Sequence, residues 1–390
     1  MVDRRALILA LGTFAVGTDA FVIAGILPEI AHDLSVTIGN AGLVVSVFAI
    51  SYALGSPVIS ALTAIWGRKT VLVSGLTTFA AANILSAVSP TLAILLATRV
   101  LAAVSAGLFA PAAYALGSKL GPAEMRGRTL AIVVAGFSSA TVLGVPLGVL
   151  IGEHAGWRGT LIYVAAASGL ASMAIARARF PERADDPPKL RLGDRLRPVG
   201  ERRTLVVLLP FFIWSTATYA LYTYVVPLLE THLPASAIPA LLLVFGVGGV
   251  AGNLLGGALY DAFGTNRPAC LCLVALIAAL AIAKPAGGSL VTAAIDMAMW
   301  AMSMAALYTL QQQRAIAVDT AQSNLRLALN NSAMYLGASI GSALGGIIIL
   351  RSSVSALPFA AAPIAAAGLL TLVLLPGGTG SASRPRGGEG

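Results

Sequence analysis

The chain has 390 residues, of which 57% are hydrophobic and only 11% charged. A soluble protein of this length needs a charged, hydrated surface, so the composition points to lipid as the solvent. The net charge of +9 invites a nucleic-acid reading, but the placement of the charges along the chain excludes it.

A helix needs about 20 apolar residues to cross the hydrocarbon core. Runs of that kind predict spans one to six at 6–28, 41–65, 70–89, 92–117, 129–152 and 158–176, and spans seven to twelve at 204–228, 238–260, 268–283, 289–310, 327–350 and 354–375. Span one follows Arg4 and Arg5 in the manner of a signal peptide. It is longer than an h-region and lacks a clear cleavage site, so it reads as a retained helix. The expected organisation is a six-helix bundle over 1–176, a polar linker rich in Arg and Pro over 177–203, a second bundle over 204–375, and a Gly/Ser/Arg tail over 376–390 that reads as disordered.

Orientation follows from Lys and Arg. With the N-terminus inside, only Arg158, Lys284 and Arg351 of the 25 Lys and Arg residues fall outside, while Arg99 lies within a span. The positive charge is therefore a topology signal. It predicts a multi-pass cell-membrane protein with both termini cytoplasmic and no nucleic-acid partner.

The two sets of six spans repeat. Gly67 and Gly264 are 197 residues apart, as are Gly144-x3-Gly148 and Gly341-x3-Gly345, and Arg99 and Asp296. Pro28 and Pro227, which close spans one and seven, are 199 apart. Two related halves about an axis along the membrane normal are a known transporter plan.

On these residues the chain resembles the major facilitator superfamily over 6–375. Ser60-Ala-Leu-Thr-Ala64-Ile-Trp-Gly67-Arg68-Lys69 is similar to that family's loop between helices two and three, and Gly257-Ala-Leu-Tyr-Asp261-Ala-Phe-Gly264 is its echo between helices eight and nine. Gly136-x7-Gly144-Val-Pro146-Leu-Gly148 resembles the helix-five motif of exporters, and Gly17-Thr-Asp19 through Pro28 resembles drug–proton antiporters of the chloramphenicol-resistance and sugar-efflux type. The resemblance implies an all-α membrane protein of twelve transmembrane helices in two pseudo-symmetric six-helix bundles. It also implies proton-coupled export of small, amphipathic molecules by alternating access. One departure stands out. Ala64 occupies the position held by Asp261 in the second half, so the acid that in this family locks the inner ends of helices two and eleven is missing.

Intramembrane charges are costly and mark function by default. Asp19 reads as a proton carrier or substrate contact, or as a static partner of Arg99. Arg99 cannot usefully deprotonate, so it is a fixed positive charge or a tie between helices. Asp296, its counterpart of opposite sign, could equally be the proton site, and the family's cavity helices one, four, seven and ten would bring all three into one polar centre. Trp214, Tyr219, Tyr222 and Trp300, with Asp19, form the candidate substrate-binding set, while Tyr224 suits a lipid-interface belt. The run Gln311–Gln313 reads as interfacial.

Glycines four apart share one helix face and permit close backbone contact. Such stripes occur at Gly144, Gly148 and Gly152, at Gly248, Gly252 and Gly256, and at Gly337, Gly341 and Gly345. Because helix five packs on eight and two on eleven in this family, the stripes are expected in the moving contact between halves. The expected gate comprises Gly67, Arg68, Lys69, Arg128, Asp261, Gly264, Gly144, Pro146 and Gly148, with Asp261 capping the first turn of helix five.

Other chemistry finds no signature. Cys270 and Cys272 read as buried thiols, His32, His154 and His232 are too separated for a metal or catalytic cluster, and neither a phosphate-binding loop nor a nucleophile elbow occurs. The chain therefore reads as a non-enzyme without cofactor, driven by a proton gradient, monomeric, with a small-molecule substrate, protons and the bilayer as partners. A sugar or nucleoside facilitator, or a non-transporting sensor or scaffold, are the alternatives.

Overall fold

The structure is a computed structural model that describes residues 3–63, 65–120, 126–180, 201–286, 288–318 and 323–375. Among these residues, 11 helical stretches are long and apolar enough to cross a membrane. One of them, Arg126–Arg177, has 52 residues, more than twice what the roughly 30 Å hydrocarbon core requires at about 1.5 Å per residue. It makes two passes. Gly156 has φ 70° and ψ 165°, a conformation that a Cβ would forbid, and the chain reverses there. The Thr160 hydroxyl donates to the Gly148 carbonyl at 2.7 Å, although the two are 12 residues apart and would be about 18 Å apart along a straight helix.

The twelve passes are α1 (Arg4–Gly25), α2 (Leu43–Leu62), α3 (Arg68–Ala87), α4 (Leu92–Gly117), α5 and α6 (the parts of 126–177 before and after Gly156), α7 (Arg202–Tyr222), α8 (Ile238–Phe263), α9 (Asn266–Ala286), α10 (Leu290–Val318), α11 (Ser323–Arg351) and α12 (Leu357–Leu374). A π-helical turn at Ala140–Gly144 interrupts α5 just before Pro146, whose missing N–H and bulky ring disturb the bonding of that turn.

Two ends differ from the sequence expectation, and for the same reason. α1 stops at Gly25 and α7 at Tyr222, and each resumes after a break as a short helix, Leu27–Asp33 and Val225–Leu229. The breaks fall at Ile26 (φ −109°, ψ 11°) and Tyr224 (φ −116°, ψ 22°). Pro28 and Pro227 follow directly, and a proline cannot donate to the carbonyl four residues back. At the other extreme, α10 continues past 310 through Gln311–Gln313 to Val318. Most of the linker expected at 177–203, the tail 376–390 and Ala64 lie outside the described residues.

The halves repeat in their packing as well as in their sequence. A Cβ on Gly144 would collide with Thr18 of α1, and one on Gly148 with Val22. In the second half, Gly341 and Gly345 of α11 meet Thr216 and Ala220 of α7 in the same way. Gly248, Gly252 and Gly256 of α8 lie on Ala298, Met302 and Ala306 of α10. All three stripes therefore pack inside a half, which corrects their expected place between halves. Spacing of four assigns residues to one face of a helix, but it does not say which neighbour that face meets. Between the halves, Gly246 of α8 sits on Thr141 and Val142 of α5, and Gly39 sits on Gly346.

The face at which α1 begins also carries Arg68, Lys69, Arg126, Arg128 and Arg267, and we call it the basic face. At the opposite face one apolar core joins the halves, with Ile26, Leu27, Ile30 and Trp157 from the first and Tyr224, Leu229 and Leu242 from the second. Toward the basic face the first half has a core of its own, around Leu72, Leu76, Phe79 and Phe109. At the opposite face the apolar core is thus shared by both halves, whereas nearer the basic face they meet through Tyr52 and Tyr335 and through Ser332 and Ala53.

Candidate functional site: buried charges and an aromatic wall

Asp19 of α1 and Arg99 of α4 meet inside the first half, 1% and 0% exposed. One guanidinium nitrogen, Nη1, donates to both carboxylate oxygens of Asp19 at 2.9 and 3.1 Å. The other, Nη2, donates to Asn83 Oδ1 at 2.8 Å and to Ser86 Oγ at 2.7 Å, both on α3. Only Nε lacks a partner. Charge is matched and four hydrogen bonds are made, which is what a buried pair needs in order to offset its desolvation. Asn83 and Ser86 escaped the sequence reading. Their signal was present: two polar residues three apart in an apolar span, on the face that a buried arginine would seek.

Asp296 does not join them. It is 5% exposed on α10, and its Oδ1 has no hydrogen-bond partner. One turn away Trp300 is 1% exposed, and its indole Nε1 also lacks a partner. The three charges expected in one centre are therefore divided between a satisfied pair and a lone carboxyl group.

Tyr222 is the hub of an aromatic wall between them. Its ring lies 5.9 Å from Phe21 of α1, 6.1 Å from Tyr219, 5.2 Å from Phe245 of α8 and 6.2 Å from Trp300. Phe137 of α5 adds an edge contact to Phe21 at 5.8 Å. Such edge-on and tilted geometries are favourable for aromatic rings. The wall thus crosses both halves, and Phe21, Phe137 and Phe245 join the expected Tyr219, Tyr222 and Trp300. Trp214 is placed elsewhere, with its backbone and Cβ against Gly368 of α12 and its ring on Phe211 at 4.9 Å. Nearer the basic face Tyr52 and Tyr335 pair across the halves at 4.1 Å.

Two expectations of an interfacial position are corrected. Tyr224 is fully buried at the break after α7, where its hydroxyl donates to Ser342 O at 2.8 Å, beside Gly42, Gly345 and Gly346. Gln311 is 2% exposed, and its Nε2 donates to Val207 O of α7 at 3.0 Å and to Asn330 Oδ1 of α11 at 3.2 Å. In each case a polar tip found a carbonyl or amide acceptor inside the bundle rather than water.

Of the expected gate residues, Gly67, Arg68, Lys69, Arg128, Asp261 and Gly264 lie at the basic face, whereas Gly144, Pro146 and Gly148 are buried farther along α5. Asp261, Arg126, Arg128, Lys69 and Gly67 are exposed, and Arg68 is half-buried. Gly264 has φ 74° at the end of α8, which favours glycine, whereas its counterpart Gly67 has an ordinary extended backbone. At the opposite face Asp33 accepts from both Arg158 and Trp157 Nε1, and Arg158 also donates to Ser89 O at 3.2 Å. That cluster ties the short helix after α1 to α3 and α6. The Arg158 and Trp157 hydrogen bonds hold the Asp33 carboxyl below its usual value.

Twelve helical passes in two repeated bundles, closed at one face around buried charges, define a membrane transporter. The sequence matches the pattern of the Major Facilitator Superfamily over residues 9–322, and the chain belongs to that family. Among curated proteins it is 35% identical to a chloramphenicol resistance protein of Streptomyces lividans over 69% of this chain and 68% of that one. It is 30% identical to the inner membrane transport protein YdhP of Escherichia coli over 89% of each, and 28% identical to the uncharacterized MFS-type transporter YbcL of Bacillus subtilis over 91% of each. Its fold is that of the E. coli xylose transporter XylE in a partially occluded inward open conformation, with a TM-score of 0.74 at 14% identity over 95% of this chain and 96% of that one. A bacterial homolog of the human lysosomal transporter Spinster, in an inward-facing and occupied conformation, superposes with a TM-score of 0.69 at 18% identity over 95% and 94%.

Proposed function

We propose that this transporter exports small amphipathic molecules from the cytoplasm in exchange for protons, by alternating access. The observation that carries the reading is Asp296, a buried carboxyl group with an unpartnered oxygen one turn from Trp300 in the aromatic wall. An acid placed there can take up a proton or accept a hydrogen bond from substrate, and the wall offers ring faces to its apolar body. Asp19 is the second acid in the cycle. It can exchange a proton only when its bonds to Arg99 open, so Asp19, Arg99 and Asp296 together make the proton-coupling set. The resemblance to the chloramphenicol resistance protein supports export of a compound of that kind, and the aromatic lining gives little polar chemistry for a sugar. No cofactor is involved, the proton gradient is the energy source, and the working unit is the monomer.

In this reading the basic face is cytoplasmic, the protein lies in the cell membrane with both termini inside, and the conformation is the inward-open state. Asp261, Arg126 and Arg128 are exposed there because the gate is open. On closure Asp261 meets the first turn of α5, where unpaired N–H groups and the helix dipole favour an anion by about 0.3–1 kcal/mol.

Everted membrane vesicles with an imposed pH gradient test the proposal, with chloramphenicol as the first of a compound panel. Export in whole cells and gradient-driven uptake in vesicles are expected for the wild type. Asp296→Asn should abolish the gradient dependence while leaving the protein folded. Uptake by Asp296→Asn at the wild-type rate would remove Asp296 from the mechanism, and no pH-gradient-driven movement of any compound would remove proton coupling.

A further inference from the structure

Three arginines are buried among the described residues, and two of them have an acid. Arg99 has Asp19, as above. Arg326 donates to Glu201 at 3.0 Å and to Thr204. Arg314, near the basic-face end of α10, is 5% exposed, and among the described residues no carboxylate bonds to it. Its only hydrogen bond runs from Nη1 to Gln311 Oε1 at a long 3.4 Å, and its Nη2 has no partner. Beside it, Asn330 of α11 is fully buried. Its Oδ1 accepts from Gln311 Nε2, and its Nδ2 has no partner either.

A buried cation without a counter-charge costs several kcal/mol, and buried donors are normally satisfied. Here two independent donors, one cationic, are left open within a single amide of each other, because Gln311 bonds both residues. Gln311 is itself held by Val207 O of α7, so the three side chains are fixed by α7, α10 and α11 rather than free to turn away. A small crevice lined by Thr204, Val207, Leu208, Ala315, Val318 and Arg326 lies alongside, at the basic-face end of the same helices.

We propose that Arg314, Gln311 and Asn330 form an oxyanion site at the basic face of the second half, separate from the aromatic wall. Its ligand is a phosphate-class anion, either free or carried by a lipid headgroup. Arginine suits such a ligand because its planar fork can present two N–H groups to two oxygens. Asn330 Nδ2 supplies a neutral donor. The site needs no proton coupling and stands whether or not Asp296 titrates.

The test uses purified full-length protein in a neutral detergent, with the thermal midpoint followed as sodium phosphate replaces sodium chloride at constant ionic strength, and separately as phosphatidylglycerol replaces a neutral diacylglycerol. A saturable rise with phosphate identifies a free anion, and a rise with phosphatidylglycerol alone identifies a headgroup. Gln311→Glu places a carboxylate where Gln311 Oε1 now meets Arg314, and an Asn330 amide flip turns Nδ2 toward it. This variant gives Arg314 a counter-charge at the expense of the bond to Val207 O, so the readout is its response to anion, and its anion affinity should fall at least tenfold. Arg314→Gln should lose the response as well. If neither probe shifts the wild type, or if both variants respond as the wild type does, the anion acts elsewhere on the basic surface and the site is wrong. Should Arg314→Gln fail to fold, Gln311→Glu decides alone.

Discussion

Arg99 and Asp296 stand at corresponding positions of α4 and α10, yet their surroundings have little in common. Arg99 reaches an acid on α1 and an amide and a hydroxyl on α3, so three helices of the first half are tied at one point. Asp296 reaches nothing with Oδ1, and Trp300, one turn away, packs on the rings of Tyr222 and Phe245. The backbone repeat holds to within one residue at the glycine contacts, while the chemistry at the centre is inverted in sign and unequal in satisfaction. Symmetry of fold therefore does not impose symmetry of function. The first half commits its central charge to bonds on three helices, and the second leaves a carboxyl oxygen without a partner.

The contrast is broken most directly by removing one acid at a time. Asp19→Asn keeps the shape but leaves the Arg99 charge buried without compensation, at a cost of about 3–5 kcal/mol. Asp296→Asn removes no existing bond to Oδ1 and uncovers no buried charge, so it is expected to cost less than Asp19→Asn. Thermal midpoints of the two variants in detergent check this. Equal losses would show that Asp296 is as tightly bound as Asp19 and would end the distinction between tie and working group.

The helix contacts that repeat between halves allow a finer comparison. At Gly144 an added methyl meets the Thr18 side chain, which can change rotamer, whereas at Gly341 it meets the Thr216 carbonyl oxygen of the α7 backbone, which cannot. Gly341→Ala should therefore cost about 1–3 kcal/mol, as overpacking does, and Gly144→Ala less. Both should slow transport only as far as they loosen α7 or α1, because neither glycine lies between the halves. The reverse order of midpoints would mean that α11 can retreat from α7 more easily than Thr18 can turn.

Most of the fold was legible because lipid enforces it. Apolar length located the passes, and the 197-residue offset located the halves. What escaped was direction. Glycine spacing fixed a face for Gly144 and Gly148 without naming α1 as the neighbour, and the polarity of Gln311 and Tyr224 suggested water where the bundle supplied carbonyl acceptors. The candidate charges were visible as charges in apolar runs, since nothing else explains an aspartate at 19 or 296. Their pairing was not, because Arg99 could have reached either acid from sequence alone. The choice was set by Asn83 and Ser86 on α3, which complete a site on the first-half side only.

The smallest expected effect concerns two acids on the short helix after α1, where the structure is closed and both groups lie outside the spans. Asp33 has its carboxyl held low, first by the Arg158 hydrogen bond and then by Trp157. Its contribution is present above the ordinary aspartate value near 3.9 and is lost as pH falls through the lower value of the folded state. Glu29, one turn earlier, behaves in the opposite way. Its Oε2 is buried without a partner, and burial first and the nearby Glu153 second push its carboxyl above the usual glutamate range. The folded protein therefore holds that proton more tightly than the unfolded chain, and stability falls as pH rises from about 4.3 through the folded value. Glu29→Gln removes this loss. The variant should match wild type below pH of about 4 and exceed it at neutral pH, by under about 1 kcal/mol because the group is only half-buried and water screens it. Midpoints measured across that range decide the matter. A variant less stable than wild type at neutral pH would mean that the Glu29 carboxylate is bonded when ionised, and that the closed face is held by two charged ties rather than by Asp33 alone.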